Sequence, residues 1–200
     1  MGRLILPSVY WGNIEYFARL VAAEEAVIDL GEHYIKRSER NRTAIMTANG
    51  VMSLSVPLVR ANRPQTPVTD LRIDYSTRWQ HRHWTAIVSA YRSSPYFEMV
   101  ADRIERLYTE RTEGLVEYNC AIFEAVCSLA KLRVAPRFSQ EYIHASAGDI
   151  DLRPKHRPCS IVTPPYFQLF SDRMPFEPNL SILDLLMCDL TGTASYLRGI

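Results

Sequence analysis

The first thirty residues constrain this chain more than any other stretch. Leu4 to Tyr10 is a short apolar strand. Asn13 is a good helix N-cap, and Ile14, Phe17, Leu20 and Val21 then recur on one helical face as far as about Glu25. Ala26-Val27-Ile28-Asp29-Leu30 is a second buried strand. Strand, helix and strand at this spacing make a βαβ unit, whose strands should run parallel and whose crossover should be right-handed. Ligands of such sheets collect beyond the carboxyl ends of the strands. Here those ends are Ser8-Val9-Tyr10-Trp11 and Asp29 to Glu32.

A basic stretch follows, Lys36, Arg37, Arg40 and Arg42, interrupted by Glu39 and Asn41. It leads into a hairpin: Ala44 to Thr47 and Met52 to Pro57 flank Asn49-Gly50, a pair suited to a tight turn with positive φ at both positions. Met52, Leu54 and Val56 alternate with Ser53 and Ser55, which predicts one buried and one polar face. Residues 61–69 read as a surface loop, and Leu71 to Asp74 as a short strand. Trp79 to Glu98 predicts a helix that buries Trp79, His83, Ile87 and Tyr91 and stops near Ser94, because Pro95 forces its predecessor out of the α region. Apolar stripes at Val100, Ile104, Leu107 and Tyr108, and at Leu115, Tyr118, Ile122, Phe123, Val126 and Leu129, predict two more helices. Asn119 falls inside the last stripe. Leu132 to Ala135 and Phe138 to Ile143 are strand candidates, and residues 147–165 read as a polar, proline-bearing, basic loop. The last helix should open at Asn179 or just after it, with Pro178-Asn179 as its entry. Leu180 to Leu190 is apolar almost all round, so it should be well buried. Ser181, Asp184 and Cys188 form its one polar stripe, read as an outer edge. The expected fold is α/β, one domain over residues 1–200, with an N-terminal βαβ unit, a central hairpin and a largely helical second half.

Composition excludes some functions. The 23 basic and 22 acidic residues nearly cancel, which argues against a dominant nucleic-acid footprint and leaves room for a local basic patch. No apolar run approaches the ~18 residues of a membrane helix, so no membrane insertion is expected. The opening Leu4-Ile5-Leu6, cut by Pro7, does not read as an export signal. The four cysteines lack CxxC spacing, so reduced thiols and a cytoplasmic location are expected. Neither GxxxxGK[ST] nor GxGxxG, HExxH or GxSxG occurs, which argues against common nucleotide hydrolases, dinucleotide oxidoreductases, zinc peptidases and α/β-hydrolases.

The remaining candidates each carry a bland alternative. The basic stretch could grip a phosphate or carboxylate bidentately, or be a solvated loop. Asn41 and Arg42 stand apart from it because the hairpin start fixes their direction. His81 and His83 point about 160° apart on a helix and cannot share a metal, so no metal site is expected. His83 is either a general base or a hydrogen-bonded core histidine. Cys120 has no neighbouring cation to activate it.

Several stretches together resemble one family. LPSVYWGNIEYFARL, IDLGEHYIKRSERNRTAI, GVMSLSVPL, AYRSSPYFE and YFQLFSDRMPFEPNLSILDLLM are similar, in order and spacing, to the WbqC-like proteins. The family pattern often opens with Gln-Pro where this chain has Leu6-Pro7, which puts any contact made by that glutamine in doubt. The resemblance implies a bacterial role in O-antigen-like surface-polysaccharide synthesis, as a transferase moving an acyl or aminoacyl group to an amino sugar. Positions matching the family's patterned segments include Pro7, Tyr10, Asp29, Lys36, Asn41, Arg42, His83, Tyr91, Asn119, Asn179 and Asp184.

Two functions therefore stand open. As an enzyme, the chain would bind a sugar or nucleotide-sugar through Tyr10, Lys36, Asn41, Arg42, Tyr91 and Asn119, with His83 or Asp29 taking a proton from an amine. An activated donor such as a thioester would be needed, and no residue pattern identifies that cofactor. As a binding or assembly module, the same pocket would hold its ligand without chemistry, or Tyr96 and Phe97 would dock on a partner enzyme or a second copy.

Overall fold

A computed structural model describes residues 2–59, 65–155 and 158–200. Strand β1 (Leu4–Pro7), helix α1 (Ile14–Ala22) and strand β2 (Ala26–Asp29) form the expected βαβ unit, with β1 and β2 parallel and Leu4 opposite Ala26. Strand β5 (Arg137–Ser139) adds in parallel beside β2, and strand β6 (Ile150–Asp151) in parallel beside β1. The sheet order is β5-β2-β1-β6. The chain leaves β1 toward one side and returns as β6 on the other, so the space beyond the β1 and β6 carboxyl ends is a topological switch point.

α1 begins where the sequence places it, because its first turn is saturated from three directions. Asn13 Oδ1 accepts from the Tyr16 amide at 2.9 Å, the Ile14 amide donates to the Leu180 carbonyl, and Asn179 Oδ1 accepts from the Glu15 amide at 2.8 Å. Asn179 adopts φ +55° to do so. It thus caps α1 from across the chain, whereas α5 (Ile182–Asp189) is capped by Ser181, whose hydroxyl accepts from the Leu183 amide.

The hairpin pairs β3 (Arg42–Thr47) with β4 (Gly50–Ser55). Its turn differs from the expected one. Thr47 pairs with Gly50, so Ala48-Asn49 is the loop, and of Asn49 and Gly50 only Gly50 takes positive φ, +100°. The Thr47 hydroxyl donates to the Gly50 carbonyl at 2.7 Å and accepts from the Asn49 amide, which holds the turn without a left-handed asparagine. The face pattern breaks at the tip: Leu54 and Val56 are buried, but Met52 is 43% exposed, because the tip projects past the core.

Helices α2 (Trp79–Tyr91), α3 (Phe97–Thr109) and α4 (Leu115–Leu129) follow, α2 packing on both α3 and β3. The Pro95 break falls between α2 and α3 as predicted. Leu71 to Asp74 contributes two isolated bridges rather than a strand, Leu58 to Ile73 and Arg72 to Gly114. The loop expected at 61–69 lies outside the described residues at 61–64, and Val68–Asp70 forms a short 3-10 turn with Val68 buried. Leu132 to Ala135 is not a strand, and the basic loop region contains β6.

The stripe Ser181, Asp184 and Cys188 is buried, not outer. Tyr91 and Tyr166 donate to Asp184 Oδ1 and Oδ2 at 2.8 and 2.6 Å, and Gln168 adds a third donor. Burial pushes the Asp184 carboxyl up, against the pull of these donors. Buried side chains from β1 through α5 and the final helix α6 (Thr193–Arg198) form one hydrophobic cluster around Tyr10, Trp11, Trp79, Tyr91 and Tyr118.

Candidate functional site

A cleft of about 440 Å³ opens at the switch point. Its floor comes from the β1 end (Pro7, Tyr10, Gly12, Asn13). One wall is the loop entering β3 together with the strand's first residues, Arg37 to Arg40 and Arg42 to Ala44. Another is the segment after β6, from Leu152 to Lys155, and Asn179 and Ser181 close the cleft. Five lining residues are cationic, Arg37, Arg40, Arg42, Arg153 and Lys155, against one carboxylate, Glu39.

The cations fall into two sets. Arg40 and Arg153 are neutralised from behind. Arg40 donates bidentately to Glu32, and its guanidinium also donates to the Arg153 carbonyl at 3.1 Å. Arg153 donates to both Asp29 and Asp151, and its guanidinium stacks over the Tyr142 ring at 4.6 Å. Burial works against the Arg153 cation, but Asp151 and Asp29 outweigh it and hold its pKa above the ordinary value. Burial likewise pushes the Glu32 carboxyl up while Arg40 pulls it down. These buried pairs bolt the segment after β6 to the strand ends. Arg37, Arg42 and Lys155, by contrast, have no carboxylate partner among the described residues. The Arg42 Nε is shielded from solvent and makes no hydrogen bond, although buried donors are seldom left unpaired.

Backbone strain concentrates at the same place. Five described non-glycine residues have positive φ; Arg37 (+58°) and Asn179 (+55°) line the cleft, and Trp11 (+50°) sits between lining residues Tyr10 and Gly12. Each such residue costs about 1 kcal/mol or more and persists only where its surroundings over-determine it. For Trp11 they do: its carbonyl accepts from Thr43 Oγ1 at 3.2 Å and Ser181 Oγ at 3.0 Å, and its indole donates to the Tyr108 hydroxyl at 2.8 Å. The amino end of α1 also faces this region, but its first amides are taken, so it offers a ligand only its positive field.

The structure brings only some of the sequence candidates together. Arg42 lines the cleft. Tyr10 borders it, but its phenol is fully buried and bonded to His83 Nδ1 at 2.9 Å and Tyr108 at 2.7 Å. Only one direction gives every hydroxyl proton an acceptor: Trp11 to Tyr108, Tyr108 to Tyr10, Tyr10 to His83. His83 is 7% exposed, outside the cleft lining, and lowered to about 4 by burial and then by Arg82, against a hydrogen bond to the Ser55 backbone. It is a neutral imidazole at pH 7. Asp29 is fully buried and accepts from Gly31, Ile143 and Arg153. Asn41 is spent on Tyr34 and the Val56 carbonyl, and Tyr91 on Asp184 and the Met46 amide. Asn119 donates to Ser8 and to the Arg40 carbonyl, bracing the basic wall from within. Lys36 is exposed and outside the lining. Sequence reasoning left out Arg153, Lys155 and Glu39. The first two lie more than a hundred residues beyond the other wall, and the basic character of residues 147–165 was their only signal. Among the described residues no cluster of His, Cys, Asp or Glu is placed to hold a metal, and no helix is long and apolar enough to cross a membrane. Arg37, Arg42 and Lys155 could hold the anionic part of a substrate or cofactor.

The fold and the cleft thus define an α/β protein with a parallel sheet and a cation-lined crevice at its switch point, the place where ligands of such sheets collect. The chain belongs to the WbqC-like protein family, which matches residues 8–158. It is 30% identical, over 125 residues, to the uncharacterized protein Rv1507c of Mycobacterium tuberculosis, an alignment covering 62% of this chain and 54% of that protein. The chain thus spans about half the length of that relative. No solved structure matches it.

Proposed function

We propose that the chain is a cytoplasmic transferase of surface-polysaccharide synthesis, moving an acyl or aminoacyl group onto an amino sugar held in the cleft by its phosphate or nucleotide. The observation that carries this reading is the trio Arg37, Arg42 and Lys155, unpaired among the described residues, at the switch point. Guanidinium groups suit phosphate oxygens bidentately. Asp29 then orients Arg153 rather than meeting the substrate, and Tyr10, Asn41, Tyr91 and Asn119 support the walls from the buried layer. In the transfer, the sugar amine attacks the carbonyl of an activated thioester, the thiol leaves, and the amine's proton passes to a base. Glu39, which accepts from Asn13 at 2.8 Å, is the lining carboxylate suited to that role.

A second reading, binding without chemistry, is favoured by the burial of His83 and Asp29 in hydrogen bonds that proton transfer would have to break. A thermal-shift screen against nucleotide sugars, acyl-CoA thioesters and inorganic anions tests the cleft, since a ligand of the folded state raises the midpoint by mass action, and a product assay with thioester donors separates the two readings. A nucleotide sugar should raise it, and Arg42→Ala should abolish the shift while leaving the unliganded midpoint within about a degree or two, since the shielded Nε has no hydrogen bond to lose. Undiminished binding by Arg42→Ala would sink the assigned site. Binding of the sugar with no product from any thioester donor would establish the second reading.

A further inference from the structure

A second cavity, of about 350 Å³, lies between the start of α2 and the end of α3, away from the cleft. It shares no lining residue with the cleft. Three rings form its walls: Tyr75, Trp84 and Tyr108. The hydrogen-bonding capacity of two of them is already used. Tyr75 donates to the Thr112 carbonyl at 2.9 Å and accepts from the Thr112 amide, and the Tyr108 hydroxyl is bonded to Trp11 and Tyr10. What these two offer the cavity is π surface. Trp84 is half-buried and continues a stack, its ring 6.2 Å from Tyr108 at 24° and 6.2 Å from Phe97 at 17°.

The charge around these rings is unbalanced. Arg78, Arg111 and His81 line the cavity, with Glu105 as its carboxylate. Neither arginine has a carboxylate partner among the described residues. Arg111 instead lies over the Tyr75 ring, 5.1 Å from its centroid, and the first turn of α2 contains no acidic residue. Tyr108 is buried behind the other two rings, and the partly exposed rings of Tyr75 and Trp84 beside guanidinium groups are what a flat ring carrying an anion requires: a ring to stack on and cations to meet its charge. The volume falls within the range of small-molecule sites.

We infer that this cavity, lined by Trp84, Tyr75, Arg78 and Arg111, is a second binding site for a mononucleotide-sized ligand, a planar aromatic ring bearing phosphate. It is independent of the cleft and of the function proposed for it.

Trp84 supplies the readout. Trp11 and Trp79 are buried, leaving Trp84 as the tryptophan a ligand can stack on. The full-length protein is titrated with uridine monophosphate, with uridine and with inorganic phosphate, following tryptophan emission excited beyond the base's absorption. Uridine monophosphate should quench saturably. The Arg78→Ala/Arg111→Ala double variant, altered only at exposed positions, should bind it about tenfold or more weakly. Uridine should bind as weakly to the wild type, Arg42→Ala should leave the curve unchanged, and Trp84→Phe should remove the signal. Absence of quenching, the same midpoint in the double variant, a signal surviving Trp84→Phe, or loss of binding in Arg42→Ala would each overturn the assignment.

Discussion

The neutral histidine in the core makes a measurable demand on stability. His83 titrates near 6.5 in an unfolded chain and at about 4 in the fold, because burial and Arg82 disfavour the imidazolium. The folded value is depressed, so between those two pH values the unfolded state holds a proton that the folded state does not. Stability must therefore fall as pH drops from about 6.5 toward about 4 and be unaffected by this group above that window. At about 1.4 kcal/mol per pH unit the loss approaches about 3 kcal/mol over the whole interval. His83→Gln removes the titration and keeps an amide that can accept from Tyr10. Urea unfolding of both proteins from pH 8 down to the lowest pH at which the wild type folds gives two stability curves. Carboxylates with raised values, Glu32 and Asp184, bend both curves the other way and cancel in the difference. The wild type should lose stability relative to His83→Gln only below about pH 6.5. Parallel curves would refute the buried neutral imidazole, and a ligand-binding step near pH 6.5 that vanished in His83→Gln would return His83 to the site.

Two further substitutions test the frame of the cleft. Asp29→Ala leaves the buried Arg153 with one carboxylate and strands the Gly31 and Ile143 amides; it should cost about 3 kcal/mol or more by urea unfolding, and a loss under about 1 kcal/mol would show the pair to be dispensable. At Gly31 an added Cβ would stand 2.2 Å from the Tyr142 amide nitrogen and 2.3 Å from the Glu141 carbonyl carbon. Gly31→Ala should therefore displace the backbone around Tyr142 and destabilise the fold by about 1–3 kcal/mol, and an unaltered unfolding midpoint would mean that the β5 side yields freely.

The parts of the fold that were legible are those with local causes. The βαβ unit shows because period and capping agree within one short stretch, Asn13 before the Ile14, Phe17 and Leu20 face. The α2–α3 break shows because Pro95 acts on its own neighbour. β6 was not legible: two residues, Ile150 and Asp151, are strand only because β1 stands beside them. The stripe on α5 misled for a similar reason, since its hydroxyl, carboxylate and thiol are buried under segments from elsewhere in the chain, Tyr91 and Tyr166 covering the carboxylate. The site divides in the same way. Arg42 could be singled out because the hairpin start sets its direction. Lys36 and Arg37 looked equivalent, and what separates them is a left-handed turn at Arg37 that no residue type announces. The conspicuous polar groups, His83, Asp29, Asn41 and Asn119, stood out by being polar in apolar settings, which is also how residues that hold a core together look.

The strand order has a kinetic corollary. No neighbours in the four-stranded sheet are adjacent through a hairpin; β1 and β2 are joined by the short α1 crossover, but the β5 and β6 pairings each close a long loop, joining Val27 to Arg137 and Leu4 to Ile150. Non-local parallel pairings form slowly, because closure entropy is spent before contacts accumulate. The βαβ unit and the β3–β4 hairpin can organise from their own residues, whereas the wall carrying Arg153 and Lys155 must wait for the far end of the chain to return beside β1. The binding proposed for the cleft should then appear only once β6 has docked, and a ligand titrated during refolding should register that arrival.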